Sequence, residues 1–191
     1  MIIEGIVTSL DETGLMNTAP MGPIVDETFT TLLLRPFQTS QTFTNLNRHR
    51  QGVFHIVDDV LLLARAALRM LESPPASRPA VQVEGRVLSD CCRWYEFRIE
   101  SVDDSRERAE LQARVVHTGS LRDFIGFHRA RHAVLEAAIL ATRIPLLGRE
   151  AVQVELDRLR SPVEKTASPR EIEAFAFIES YVRDFTSPED S

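Results

Sequence analysis

Residues 108–142 read RAELQARVVHTGSLRDFIGFHRARHAVLEAAILAT, and a change of pattern inside them decides the fold class. Arg108 to His117 has the composition of a strand. After Thr118 the character shifts. Leu121 to Thr142 predicts one long helix, apolar almost all round from Ala133 to Ala141. A helix of that kind is buried on more than one side.

Upstream of this junction strands dominate. Arg93 to Val102 places Trp94, Glu96, Arg98 and Glu100 in alternation with Tyr95, Phe97 and Ile99, the period of a half-exposed strand. Ala80 to Leu88, Val53 to Val57, Phe29 to Leu34, Leu15 to Met21 and Met1 to Leu10 also read as strands. Two helices interrupt them. Ser40 to Arg50 is capped by Ser40 or Thr42 and ends at Gly52. Val60 to Leu71 opens on Asp58 and Asp59, which suit the positive end of a helix dipole. Glu72 to Pro79, ESPPASRP, predicts a loop.

Downstream, helices take over. Pro145 breaks the long helix, and Arg149–Leu159 and Pro169–Phe185 follow. Ser168, Pro169 and Glu171 form a helix-start signature. The tail TSPEDS is expected to fray. Strands followed by helices imply an α+β protein. The expected division is an antiparallel barrel or sheet over residues 1–120 and a helical appendage over residues 121–191.

The charge balance is −6. That sign argues against nucleic acid and against anionic membrane surfaces, both of which need a basic face. No apolar run reaches the roughly 18 residues that span a bilayer. The first residues, MIIEGIVTSLDE, do not have the pattern of a signal peptide, so the expected location is cytoplasmic. Cys91 and Cys92 are adjacent, which strains a disulfide between them, and they read as buried or half-buried thiols.

Several constellations bear on chemistry. Arg35 precedes Thr39, Ser40, Thr42, Thr44 and Asn45 and runs from a strand end into a helix start, a natural anion site. The residues alone also allow a plain helix cap with a solvated Arg35. Asn17, Thr18, Ala19, Pro20, Met21 and Gly22 form a strand whose Pro20 places it at an edge or a bulge. His128, His132 and Glu136 share one helix face but lack the glutamate of H-E-x-x-H, and no metal is expected there. Arg129, Arg131 and His132 add charge that an anion could use. Asp58-Asp59 reads as a cap before a catalytic pair. Lys165 and Thr166 read as a solvated loop.

Five segments in order carry a resemblance: MNTAPMGP (Met16–Pro23), LRPFQTSQTFTNL (Leu34–Leu46), GVFHIVDD (Gly52–Asp59), FHRARHAVLEAAILATR (Phe127–Arg143) and EKTASPREIEAF (Glu164–Phe175). The chain resembles the family called domain of unknown function 447, and through MNTAPMGP the flavin-reductase-like split barrels. Two positions depart from the family pattern: His128 stands where Asn is usual, and Arg131 where a basic residue, often Lys, is found. The resemblance implies an α+β protein with an FMN-binding antiparallel split barrel and a C-terminal helical appendage. It also implies a homodimer with the flavin at the subunit interface, a flavin-reductase type of oxidoreductase chemistry and a contextual link to tetrahydromethanopterin-dependent metabolism. Under it the flavin ring lies on Asn17, Thr18, Ala19, Pro20, Met21 and Gly22. The phosphate takes Arg35, Thr39, Ser40, Thr42 and Asn45, with Arg129 adding charge. Catalytic residues are not implied.

The purified protein is expected to be a dimer at micromolar concentration, because the apolar helix from Ala133 to Ala141 is ill suited to solvent and the resembled fold is usually dimeric. Sedimentation that shows only a 21.6 kDa species over that range contradicts this.

Overall fold

The computed structural model describes residues 1–185; the expected frayed tail lies outside them. In chain order the strands are β1 (Gly5–Leu10), β2 (Met16–Met21), β3 (Ile24–Val25), β4 (Thr31–Leu34), β5 (Gln51–Ile56), β6 (Ser77–Pro79), β7 (Arg86–Leu88), β8 (Arg93–Asp103) and β9 (Glu110–Ser120). The helices are α1 (Gln41–His49), α2 (Val60–Ala67), α3 (Arg129–Ala141), α4 (Ile144–Leu147), α5 (Arg149–Thr166) and α6 (Pro169–Asp184). The chain divides into two compact units. One holds residues 1–57 and 72–124. The other holds residues 58–71 and 125 onward, so α2 groups with the later helices. No helix among the described residues is long and apolar enough to cross a membrane.

The first unit is a curled, wholly antiparallel sheet in the order β2-β1-β5-β8-β9-β4-β3. The residues before β1 bring its far end back to the start. Ile2 bridges Ile24, the Val25 N–H donates to the Met1 carbonyl at 2.8 Å, and the Ile3 N–H donates to Pro23 at 3.2 Å. The chain therefore serves β3 with residues 1–3, and β2 and β5 with residues 5–10. A Cβ on Gly5 would stand 2.3 Å from the His55 carbonyl oxygen and 2.7 Å from the Phe54 ring. Only glycine allows that approach. Val7, Leu32, Leu34, Leu46, Phe54, Phe97 and Leu111 fill the interior.

His55 of β5 is fully buried. Its Nε2 accepts from the Leu88 N–H at 3.1 Å, so its Nδ1 carries the proton and donates to the Ile6 carbonyl at 3.1 Å. One imidazole thus ties β5 to both β1 and β7. Burial pushes its pKa down to about 4, against a smaller upward pull from the Ile6 bond.

Several segments differ from the sequence expectation for local reasons. On the face of β8 expected to be open, Arg98 and Glu100 are exposed, but Trp94 is 7% accessible and Glu96 0%. Glu96 accepts from the N–H groups of Val81 (2.9 and 3.1 Å) and Gln82 (2.6 Å), so residues 80–85 cover it rather than extending a strand. Gly52 lies inside β5; Arg50, at φ 56°, ends α1 instead. The tight turn before β4 holds Phe29 at φ 56°, stacked on Tyr95 at 4.9 Å. Asp26 secures that turn by accepting from Thr28, Thr30 and Thr31, and the Thr28 hydroxyl first of all holds its carboxyl far below the usual range.

The helical unit centres on Leu61, Ala64, Val134, Ala137, Ala138, Val152, Leu156, Phe175 and Ile178. The predicted helix from Leu121 begins only at Arg129, since Gly126 has φ 95° and His128 is the N-cap. Pro145 sits in the first turn of α4, where a missing N–H costs nothing, and α5 runs through Pro162 to Thr166.

Stability should follow the His55 titration. Well above pH 6.5 the imidazole is neutral in both folded and unfolded chains. As pH falls from 6.5 towards about 4, only the unfolded chain takes up the proton, and stability is lost, by at most roughly 3 kcal/mol. Urea midpoints at pH 7.5 and 4.5 should fall further apart for the native chain than for His55→Gln, which carries no titration. Equal drops would remove His55 from this role.

Candidate functional site

The two stretches singled out in sequence meet in the barrel unit. The Asn17 Nδ2 of β2 donates to Thr42 Oγ1 of α1 at 3.0 Å. Behind this contact lies a buried polar layer. Asn45 Nδ2 donates to Ser9 Oγ at 3.1 Å, and Gln41 Nε2 donates to Asn45 Oδ1 at 2.6 Å. Ser9, Thr42 and Asn45 are buried. Thr42 and Asn45 thus fix α1 against β1 and β2. The sequence could suggest this only through their spacing, because Thr42, Asn45 and His49 fall on one helix face.

Ser40 is the N-cap of α1: its Oγ accepts from the Phe43 N–H at 3.1 Å and donates to the Phe37 carbonyl at 2.7 Å. Thr39 beside it is exposed. With the Phe43 N–H taken by this cap, the N–H groups of Gln41 and Thr42 lack partners within the helix and point out of its end. Thr44 Oγ1 turns back to the Ser40 carbonyl at 3.3 Å. Arg35 follows β4 and is half-buried, with no carboxylate within ion-pair distance among the described residues.

Strand β2 is an edge, paired only with β1, as Pro20 foretold. Alternate residues of an edge strand turn their N–H and C=O groups away from the sheet. Thr18 stands opposite Thr8 and shares its face. The Thr8 hydroxyl donates to the Arg86 carbonyl at 2.6 Å, whereas Thr18 Oγ1 is enclosed and has no hydrogen-bond partner. Leaving a buried hydroxyl unpaired costs about 1–3 kcal/mol, so a ligand atom or a water is needed there. Ala19 faces Val7, and Met21 packs on the barrel core. The smallness of Gly22 serves the chain itself: a Cβ there would meet Glu4 Oε1 at 2.6 Å and Ile2 Cγ2 at 2.8 Å.

The remaining charged candidates lie in the helical unit. Arg129 opens α3 and is exposed. Arg131 is taken up by two buried carboxylates, Asp58 at 3.0 Å and Glu171 at 3.0 Å. Burial alone would raise the Glu171 carboxyl, but bonds from the Ser168 hydroxyl and the Arg131 guanidinium outweigh it and bring the pKa down to about 2. Asp59 caps α2 by accepting from Leu61 and Leu62, and it pairs with Arg170 at 2.7 Å. His128 Nδ1 accepts from the Arg131 N–H at 3.2 Å, which is the cap that an Asn would supply. His132 meets the edge of Phe127, and no cluster among the described residues is suited to a metal. Thr166 accepts from the Ala130 N–H. Cys91 and Cys92 are both buried, and burial pushes the Cys91 thiol up to about 11.

The model of the DUF447 N-terminal domain matches residues 3–122, and the second DUF447 model, also described as a protein of unknown function, matches residues 128–180. The chain belongs to this family. An FMN-bound family member from Methanosarcina mazei is similar over 94% of each chain, with 22% identity and a TM-score of 0.80. The styrene monooxygenase flavin reductase of Pseudomonas putida S12 matches 62% of this chain and 80% of its own, at 15% identity and a TM-score of 0.54. An FMN-binding protein of Thermus thermophilus matches 62% and 71%, at 12% identity and a TM-score of 0.52. These likenesses establish the split-barrel fold of the DUF447 chain. No curated protein matches it.

A double-mutant cycle tests the join between β2 and α1. Asn17→Ala and Thr42→Val should each destabilise the protein, with a coupling of about 1 kcal/mol in urea denaturation. Strict additivity would show that the 3.0 Å bond contributes nothing.

Proposed function

We propose that the protein binds FMN at β2 and the start of α1 and works as a homodimeric oxidoreductase of the flavin-reductase type. The observation that carries this reading is the Asn17–Thr42 hydrogen bond. It sets the Asn-Thr-Ala-Pro strand against a helix start, in a fold shared with an FMN-bound relative.

The residues fit the group. A flat, amphipathic ring needs a surface with backbone donors and acceptors, and the outer edge of β2 offers both. Thr18 Oγ1, enclosed without a partner, supplies a hydroxyl for a ring carbonyl or ring nitrogen. A phosphate dianion needs a guanidinium and N–H groups. Arg35 has no competing carboxylate among the described residues, and α1 presents its first-turn N–H groups beside Ser40, Thr39 and Thr42. Thr42 and Asn45 support the site from beneath. Arg129 belongs to the set only if a helical unit brings it to the phosphate. When bound, FMN supplies two-electron chemistry at its ring. The side chains would bind, orient and enclose it, and none needs to move a proton at the flavin for hydride uptake. That accords with the lack of a catalytic constellation in the sequence.

The first test is identification of any co-purifying small molecule by absorbance and mass. Anaerobic NADH or NADPH should bleach the yellow protein; a flavin that stays oxidised would make it a carrier rather than a reductase. Arg35→Ala should weaken FMN by roughly one to two orders of magnitude and leave riboflavin, which lacks the phosphate, nearly unchanged. Equal loss of both flavins, or of neither, would place the phosphate elsewhere.

A further inference from the structure

Arg35 is not the only guanidinium prepared for an anion at this end of the barrel. Leu34 pairs with Leu111, and the same register carries on past the end of β4. The Ala109 N–H donates to the Pro36 carbonyl at 3.0 Å, and Phe37 bridges Arg108. Arg35, Phe37 and Arg108 therefore share one face of the ladder, while Leu34, Pro36 and Ala109 turn inward and are buried. The tip that bears Arg108 is bolted down. The Gln38 N–H donates to Glu107 at 3.1 Å, and Gln38 Nε2 reaches the carbonyls of Asp104 and Arg106, each at 2.6 Å.

Arg108 lies with its guanidinium 4.1 Å above the Phe37 ring. Among the described residues no carboxylate is within ion-pair distance of either Arg35 or Arg108. Glu110 is opposite Arg35 in the ladder, yet the two do not pair. Arg108 is thus exposed and held by an aromatic platform, with its donors left to solvent. Such a platform fixes a long side chain whose rotamer freedom would otherwise oppose binding.

We propose that Arg108 is a second ligand of the flavin phosphate and, with Arg35, selects phosphorylated flavins over riboflavin. This rests on the FMN reading above. Two guanidiniums on one face match the two charges of a phosphate dianion, and each can donate two parallel hydrogen bonds to it. Phe37 acts as a positioning residue, because it holds Arg108 without touching the anion.

The test is fluorescence titration of FMN and of riboflavin with the full chain, at low and moderate salt. Arg108→Gln should weaken FMN by about tenfold, leave riboflavin unchanged and flatten the salt dependence. Phe37→Leu should give a smaller loss in the same direction. Arg106→Gln on the same tip is the control for general surface charge, and it should leave FMN binding at the native level. If Arg108→Gln binds FMN as the native chain does, or weakens both flavins equally, Arg108 is no phosphate ligand, while the FMN reading stands on the native titration. An equal loss in Arg106→Gln reduces the effect to diffuse charge and overturns the proposal. If the native chain binds neither flavin, both readings fail together.

Discussion

The barrel depends on one stretch of backbone serving three neighbours. Residues 1–3 join β3, and residues 5–10 join β2 on one side and β5 on the other. The switch falls at Gly5, where the Phe54 ring and the His55 carbonyl leave no room for a side chain. Without that bend the sheet would be open, with β3 as its far edge. With it, β2 is left projecting beyond the closed part as a true edge. The candidate ligand site follows from this: the strand with spare backbone groups exists because β1 was needed twice.

Edges invite further pairing, and this one is steadied by polar contacts rather than by another strand. Ser9, Asn17, Thr42 and Asn45 fasten α1 across β1 and β2. On the other face of the sheet, His55 and Thr8 reach β7 or the residue that opens it. Each buried polar group has a defined partner, which makes these ties specific as well as stabilising. Thr18 Oγ1 has no partner, and it lies in the strand where a ligand is expected. The charge distribution on the β8–β9 tip adds to the same end: Gln38 fastens the tip next to Arg35, and Phe37 holds Arg108 there.

The β-then-α order, the Ser40 cap, the Ser168–Glu171 capping box and the edge position of Pro20 were all legible in sequence, because each depends on local chemistry. The features that escaped it are long-range. Alternation along β8 implied an exposed face, which holds at Arg98 and Glu100, yet a loop more than ten residues upstream folds back onto Glu96. The apolar run after Leu121 resembled helix throughout, but Gly126 and the His128 cap delay the start to Arg129. Thr42 and Asn45 carried the right groups for an anion, and the pattern held no sign that Asn17, 25 residues away, would donate to the Thr42 hydroxyl oxygen. Arg108 left no motif at all; it emerges only from the register that sets it beside Phe37.

The proposed placement of an anion in the barrel unit also draws on how the helical unit uses its own charges. There the starts of α2, α3 and α6 are all occupied: Asp59 caps the first, His128 the second, and Ser168 with Glu171 the third. Arg131 and Arg170 already answer carboxylates, Asp58 and Glu171 for one, Asp59 for the other. At the start of α6 an added dianion would have to displace Glu171, a carboxylate that is both buried and hydrogen-bonded, and breaking its pair with Arg131 costs several kcal/mol. At α1 no acidic residue stands in the first turn, the cap is a neutral serine, and Arg35 and Arg108 have no ion-pair partners among the described residues. Like structures at the helix starts thus lead to opposite chemistry. Where the protein supplies its own anions, the helix starts hold the fold together, and where it supplies none, the positive field is left for a ligand.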